Sequence, residues 1–392
     1  MPKRTFSDPI HCSQILACSS FNNVGNRVGR LESRASPNQR LVEAFGINNA
    51  FTTTDGKYAR AFKTAAIAKI KMDDNDWKRI AAFAEHFILE SVANPKPGYL
   101  DTSLDSLVQS IALRLALHVL FHLDPLELDK DVIKTLAEAI NDCWVKSKCS
   151  APEAARNLRN SKATLDDALS KLFPDFGPDS SSQDNPLNYI LPAYETLWRI
   201  VLFCYIEVSF RQHRKAETAE WRKVLGEFVQ DPTQAAFEKS VTTETGPSVS
   251  VSHIVNEGLR LYPPTRRIHR FYHLNGLLCK PEILAADIEK MQRDPGIWKD
   301  PLTFKPSRWF DIGEEARSAF MPFGNKPFVC PAQKEFGPRM IGILVAALAA
   351  HIDAEGLVLW YHGHCGSGSA VFDAQEIYTD RDIYGFWEVE KR

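Results

Sequence analysis

The segment Asn188–Arg211, NYILPAYETLWRIVLFCYIEVSFR, constrains the fold more than any other stretch of the chain. It is long and apolar with few breaks. A helix that is apolar all round has to be buried all round, so this segment is expected to run through the core of a large body. The 392 residues, 44% of them hydrophobic, are enough to build such a core.

Other segments carry the same helical signal. Asp76–Val92 has apolar residues at helical spacing with an aspartate at its start. Leu104–Leu123 reads as a buried helix, and Leu128–Lys148 and Pro152–Leu172 as amphipathic ones. Trp221–Phe228 and Val249–Leu261 follow, and Pro263-Pro264 stops the last of these, because proline has no N–H to give. Residues 265–310 are rich in proline, aspartate and aromatics and read as short extended pieces. A final helix is expected from Pro331 to Ile352, and the tail from Gly356 reads as strands and turns. The first forty residues look irregular. With no long linker and no internal repeat, the fold class is mainly α with a minor β component: an irregular segment at 1–40 and one large domain at 41–392.

Bulk properties narrow the function classes. A formal net charge of -2 gives no basic field for nucleic acid. The eight cysteines form no CxxC pair and are too sparse for a disulfide scaffold, which favours a reducing, cytoplasmic setting. The first thirty residues are polar, and no run reaches the length of a transmembrane helix.

Four motifs carry chemistry. Phe323-Gly324-Asn325-Lys326-Pro327-Phe328-Val329-Cys330-Pro331-Ala332 puts a cysteine at the start of the last helix, where the helix dipole and free N–H groups favour a thiolate. Glu257-Gly258-Leu259-Arg260 sets opposite charges on one helical face. Pro301-Leu302-Thr303-Phe304-Lys305-Pro306-Ser307-Arg308-Trp309 is a proline-punctuated meander. Pro192-Ala193-Tyr194-Glu195-Thr196 places an acid and an alcohol inside the long apolar helix. Each has a plain alternative when taken alone: an inert buried cysteine, a surface ion pair, a surface loop, and a satisfied polar pair.

The four in this order resemble the cytochrome P450 superfamily over roughly residues 40–390. Glu257–Arg270 (EGLRLYPPTRRIHR) and Ala286–Trp309 add to the likeness, and the wording of LPAYETLWR and DPLTFKPSRW is similar to fungal members of specialised metabolism. The resemblance implies a single haem domain holding haem b (iron protoporphyrin IX), with Cys330 as the axial thiolate. Phe323 would belong to the haem-binding loop. Glu257, Arg260 and Arg308 would form a buried structural cluster. Glu195 and Thr196 would deliver protons on the distal side. Arg270 would hold one haem propionate, and Lys63 or Arg60 the other.

The cysteine loop departs from the family pattern. Lys326 stands in place of a glycine, Phe328 in place of a basic residue and Ala332 in place of a glycine. Lys326, with its long stem, is expected to reach a propionate instead. The tryptophan usual near residues 55–63 is absent.

The implied activity is that of an oxidoreductase, a monooxygenase inserting one oxygen atom from O2 into a small apolar metabolite. NADPH would act only through a cytochrome P450 reductase. A haem-thiolate isomerase, dehydratase or peroxide-using enzyme is the alternative; a truncated or degenerate non-catalytic relative is a further one. The chain as written is expected in the cytoplasm, or on the endoplasmic reticulum if an anchor precedes it. Substrate choice is expected to lie in roughly residues 45–110 and 125–190, and near His362–Ala374.

Overall fold

The computed structural model describes residues 1–93, 103–148, 152–177, 180–211, 215–242, 244, 246–276, 279–352, 357–362, 368–370, 377 and 387–391. The chain starts with β1 (Lys3–Phe6), α1 (Pro9–Ala17), β2 (Ser20–Phe21), β3 (Val24–Gly25), α2 (Arg30–Ala35) and α3 (Gln39–Phe45). A helical run follows: α4 (Gly56–Lys69), α5 (Asp74–Val92), α6 (Leu104–Phe121), α7 (Lys130–Lys146), α8 (Pro152–Leu172), α9 (Leu187–Ser209), α10 (Lys215–Gln230), α11 (Gln234–Glu238) and α12 (Val251–Leu261). The last part holds β4 (Arg267–Tyr272), β5 (Glu282–Asp287), α13 (Ile288–Gln292), α14 (Glu314–Ser318), α15 (Phe336–His351), β6 (Leu357–His362), β7 (Gly368–Ala370) and β8 (Trp387–Lys391). The fold is mostly helical with small sheets, as the periodicity predicts.

Helix starts follow local chemistry. Asp55 accepts from the N–H groups of Lys57 and Tyr58 at the head of α4, and Asp73 forms a capping box with Asp76 at the head of α5. Ser250 accepts from the N–H of His253 at the head of α12. These side chains satisfy N–H groups that have no partner inside the helix.

The long apolar helix α9 lies where its composition requires. It packs against α6, α10, α12 and α15 in one large apolar core. Pro192 sits inside it and has no N–H to give to the carbonyl of Asn188. The Asn49 side chain donates to that carbonyl instead, at 3.2 Å. Helix α6 is long and apolar enough to cross a membrane by length and composition, yet 78% of it is buried inside the fold.

The first forty residues correct the expectation of an irregular segment. β1 pairs in parallel with β5, Lys3 opposite Ile283 through Phe6 opposite Ala286, and β4 closes the sheet on the other side of β5. Arg4 binds Glu282 through two hydrogen bonds of 2.7 and 2.6 Å. Cys12, Ile15, Leu16 and Phe21 share a second apolar core with Tyr272, Leu284, Met291 and Trp298. The N-terminal segment is thus folded onto residues from the far end of the sequence.

Candidate functional site

The cysteine loop is fixed by its own backbone. The N–H of Cys330 donates to the Phe323 carbonyl at 2.9 Å, and the N–H of Phe328 to the Asn325 carbonyl at 2.9 Å. Gly324 has a φ of +77°, a conformation glycine adopts without strain. The Asn325 side chain accepts from the N–H of Lys326 at 2.8 Å and donates to Ser13 Oγ at 2.8 Å, tying the loop to α1.

The single helix expected from Pro331 to Ile352 is two elements. Cys330 precedes a one-turn 3-10 helix, Pro331–Gln333, and α15 starts only at Phe336. Pro338 explains the break: within one continuous helix its ring would clash with the carbonyl four residues back, at Lys334, so it is confined to the first turn of a new helix. Cys330 therefore faces the N–H groups of one short turn and not the end of a long helix. Burial pushes its thiol pKa up, opposed by the Ala332 N–H and by the charges of Arg34 and Lys63. Gly337 lets the loop close against α15: a Cβ there would lie 3.0 Å from Phe323 Cε1 and 3.1 Å from the Ala332 carbonyl.

Glu257, Arg260 and Arg308 come together. Arg260 Nε and Nη2 donate to Glu257 Oε2 and Oε1 at 2.9 and 2.8 Å, and Arg308 Nε donates to Oε1 at 3.0 Å. The Lys305 N–H and Trp309 Nε1 complete the shell of the carboxylate at 2.8 and 2.9 Å. Arg260 also donates to the carbonyls of Gln292, Pro301 and Thr303, which pins the meander to α12. Glu257 and Arg260 are both fully buried. Burial alone would raise the Glu257 pKa; Arg260, Arg308 and the Lys305 N–H outweigh it and hold the carboxylate below its usual range.

A second cationic group lies beside the cysteine loop. Because α2 packs on β4, Arg34 and Arg270 meet at Phe328. The Arg34 guanidinium lies 4.6 Å from the Phe328 ring centroid and 4.5 Å from that of Phe51; Arg270 lies 6.0 Å from the Phe328 ring. Arg270 is buried, and its Nε has no acceptor among the described residues. Its Nη1 donates to the neighbouring His269 carbonyl at 2.9 Å. Burial and the charge of Arg270 push the Arg34 pKa down to about 9. Burial and the charges of Lys3, Arg267, Arg40 and Arg270 push His269 down to about 4. Arg34 was missed in the sequence because it sits in no motif; only the packing of α2 on β4 reveals it.

The remaining basic candidates are exposed. Lys63 and Arg60 lie on α4, which packs against the turn at 331–333. Lys326 is exposed, and among the described residues its side chain makes no hydrogen bond or ion pair. The cations acting on the Cys330 thiol are Arg34 and Lys63.

Helix α9 has one face that is not fully buried. Apart from terminal Ser209, only Tyr189, Pro192, Ala193 and Thr196 fall outside its buried set, and their spacing of three and four residues is one helical stripe. Phe62 of α4 stacks on Tyr189 with ring centroids 4.6 Å apart, so α4 touches both this stripe and the cysteine turn. Thr196 Oγ1 donates to the Pro192 carbonyl at 3.3 Å. Glu195 is 1% exposed and lies about 100° round the helix from Thr196. The acid and the alcohol thus occupy different faces.

These features fit a haem. They supply one half-buried thiol beside cations, a cation pair with an acceptor-less buried Nε, and half-buried apolar residues (Ala193, Phe323, Ala332) at the edge of the main core. Most of the expected specificity segment after His362, and residues 94–102 within the earlier one, lie outside the described residues.

Residues 250–334, which include Glu257, Arg260, Arg270, Arg308 and Cys330, match the family model "Cytochrome P450". Among curated proteins, the chain is 36% identical over 113 residues to flavonoid-6-hydroxylase of Ocimum basilicum, covering 26% of this chain and 21% of that protein. It is 28% identical over 178 residues to cytochrome P450 71D180 of Thymus vulgaris, covering 38% of this chain and 34% of that one. The alignments thus span about a fifth to a third of those relatives. Both are plant proteins, which gives no support to the expected likeness to fungal members. The solved structure of CYP175A1 from Thermus thermophilus shares the fold, with a TM-score of 0.64 at 14% identity over 100% of this chain and 89% of that one. The match to the cytochrome P450 family model thus covers residues 250–334, and the likeness to the solved structure shows a shared fold.

Proposed function

We propose that the chain is a haem-thiolate monooxygenase, inserting one oxygen atom from O2 into a small apolar metabolite with electrons passed from NADPH by a reductase partner. The observation that carries this reading is the position of Cys330. It ends a backbone-locked loop beside the cations Arg34 and Lys63, within the stretch that matches the family. Flavonoid-6-hydroxylase among the relatives points to aromatic metabolites as the first substrates to try. A reductase and an endoplasmic-reticulum location belong to the same proposal.

In this reading Cys330 Sγ would ligate the iron of haem b, Arg270 with Lys63 or Arg60 would hold its propionates, and Phe323 would belong to the haem-binding loop. When bound, the haem supplies the oxygen-activating chemistry, which a thiolate ligand favours by pushing electron density onto the iron. Glu257, Arg260 and Arg308 fix the meander and so the loop; they act on structure and not on the reacting atoms. Thr196 gives its own proton to the Pro192 carbonyl, so its Oγ1 lone pairs face the half-buried stripe. It serves there as an acceptor that orients water, one step of a proton path. Glu195, on the neighbouring face, is the proposed proton reservoir, reached through water and not by direct contact.

The test is turnover of aromatic substrates under labelled O2 with NADPH and a cytochrome P450 reductase. Incorporation of one labelled oxygen atom, dependent on the reductase, is the expected result. Turnover with peroxide alone, or a product without the label, would assign the chain to another haem-thiolate class.

A further inference from the structure

The charge beside the cysteine loop, one arginine buried and one half-buried, is unbalanced among the described residues. Two guanidinium groups, Arg34 and Arg270, meet at the Phe328 ring, and among the described residues neither has a carboxylate partner. The buried Arg270 Nε has no acceptor among them. Other arginines of the same region are neutralised: Arg4 by Glu282, Arg266 by Glu289 and Arg267 by Asp287. Burying unpaired charge is costly, so a pair left open beside the proposed iron ligand is a place prepared for an anion.

We infer that Arg34, held against Phe328 and Phe51, is a haem-propionate ligand of this chain, taking over with Arg270 the basic role that Phe328 cannot fill. The inference rests on the haem reading above and deepens it. Phe328 then has a purpose: its ring is the platform that aims the Arg34 guanidinium. The pairing of guanidinium with carboxylate is a matched fork, so each lost contact has a measurable effect on haem affinity.

The experiment titrates the apo form of the full chain with haem and with haem dimethyl ester, whose propionates carry no charge. The wild-type chain is expected to bind haem more tightly than the ester. Arg34→Gln is expected to weaken haem binding about 10- to 100-fold while leaving ester binding within about twofold. Adding Phe328→Arg to Arg34→Gln is expected to restore haem affinity. Equal affinity of the wild-type chain for haem and ester would overturn the inference without any variant. So would an Arg34→Gln chain that binds haem normally, or one that loses haem and ester alike. A wild-type chain that takes up neither ligand would instead sink the underlying haem reading.

Discussion

At the scale of single residues, Glu257 is the most demanding group in the fold. Its carboxylate accepts from Arg260, Arg308, Lys305 and Trp309. Glu257→Ala strands the two arginines, and a loss of about 3–5 kcal/mol in denaturant unfolding is expected; a loss under about 1 kcal/mol would contradict that role. The sign of the pH effect follows from the depressed folded pKa. The contribution is present above the unfolded glutamate value of about 4.3 and disappears as pH falls through the lower folded value. Acid unfolding of the wild-type chain in that window, flattened in Glu257→Gln, checks it. Thr196→Val removes the hydroxyl, and with it the side-chain bond to the Pro192 carbonyl, but leaves the backbone of α9 helical. Product formed per NADPH consumed is expected to fall about tenfold or more, with stability changed by less than about 0.5 kcal/mol. Unchanged coupling would remove Thr196 from the proton path. The Glu257–Arg260 pair was legible as a spacing on one helix. Arg34 was not legible, because its role depends on two rings and a strand brought to it by tertiary packing.

At the scale of elements, the long helices were legible because their apolar period is strong and their starts carry acidic or serine caps. The last helix was misread because its apolar pattern is continuous while its backbone is not. Pro338, visible in the sequence, decides the break. That break makes Gly337 the hinge point between the cysteine turn and α15. Gly337→Val would press on Phe323 and on the Ala332 carbonyl, at the 3.0 and 3.1 Å contacts its Cβ would make. A stability loss of about 1–3 kcal/mol is expected, with weaker haem retention on gel filtration. Normal retention would show that the loop does not depend on this contact. β1 was illegible for a different reason: four residues with two charges give no alternation, and the partner strand lies near the other end of the chain.

At the scale of the whole molecule, the N-terminal segment ties the small sheet and the second core to the cysteine loop, through Asn325 and Ser13. Removing residues 1–6 would bare the edge of β5 and break the Arg4–Glu282 pair. A lower melting temperature and concentration-dependent aggregation by light scattering are expected; an unchanged, monodisperse chain would contradict the structural role of β1. The proposed role of this fold is to hold a haem on Cys330. The most direct measurement is the absorption spectrum of the purified, reduced, carbon monoxide-bound chain, compared with Cys330→Ser. A red-shifted Soret band in the wild-type chain, absent from Cys330→Ser, is the result expected of thiolate ligation. A haem-containing chain without that band, or a band that survives Cys330→Ser, would contradict it.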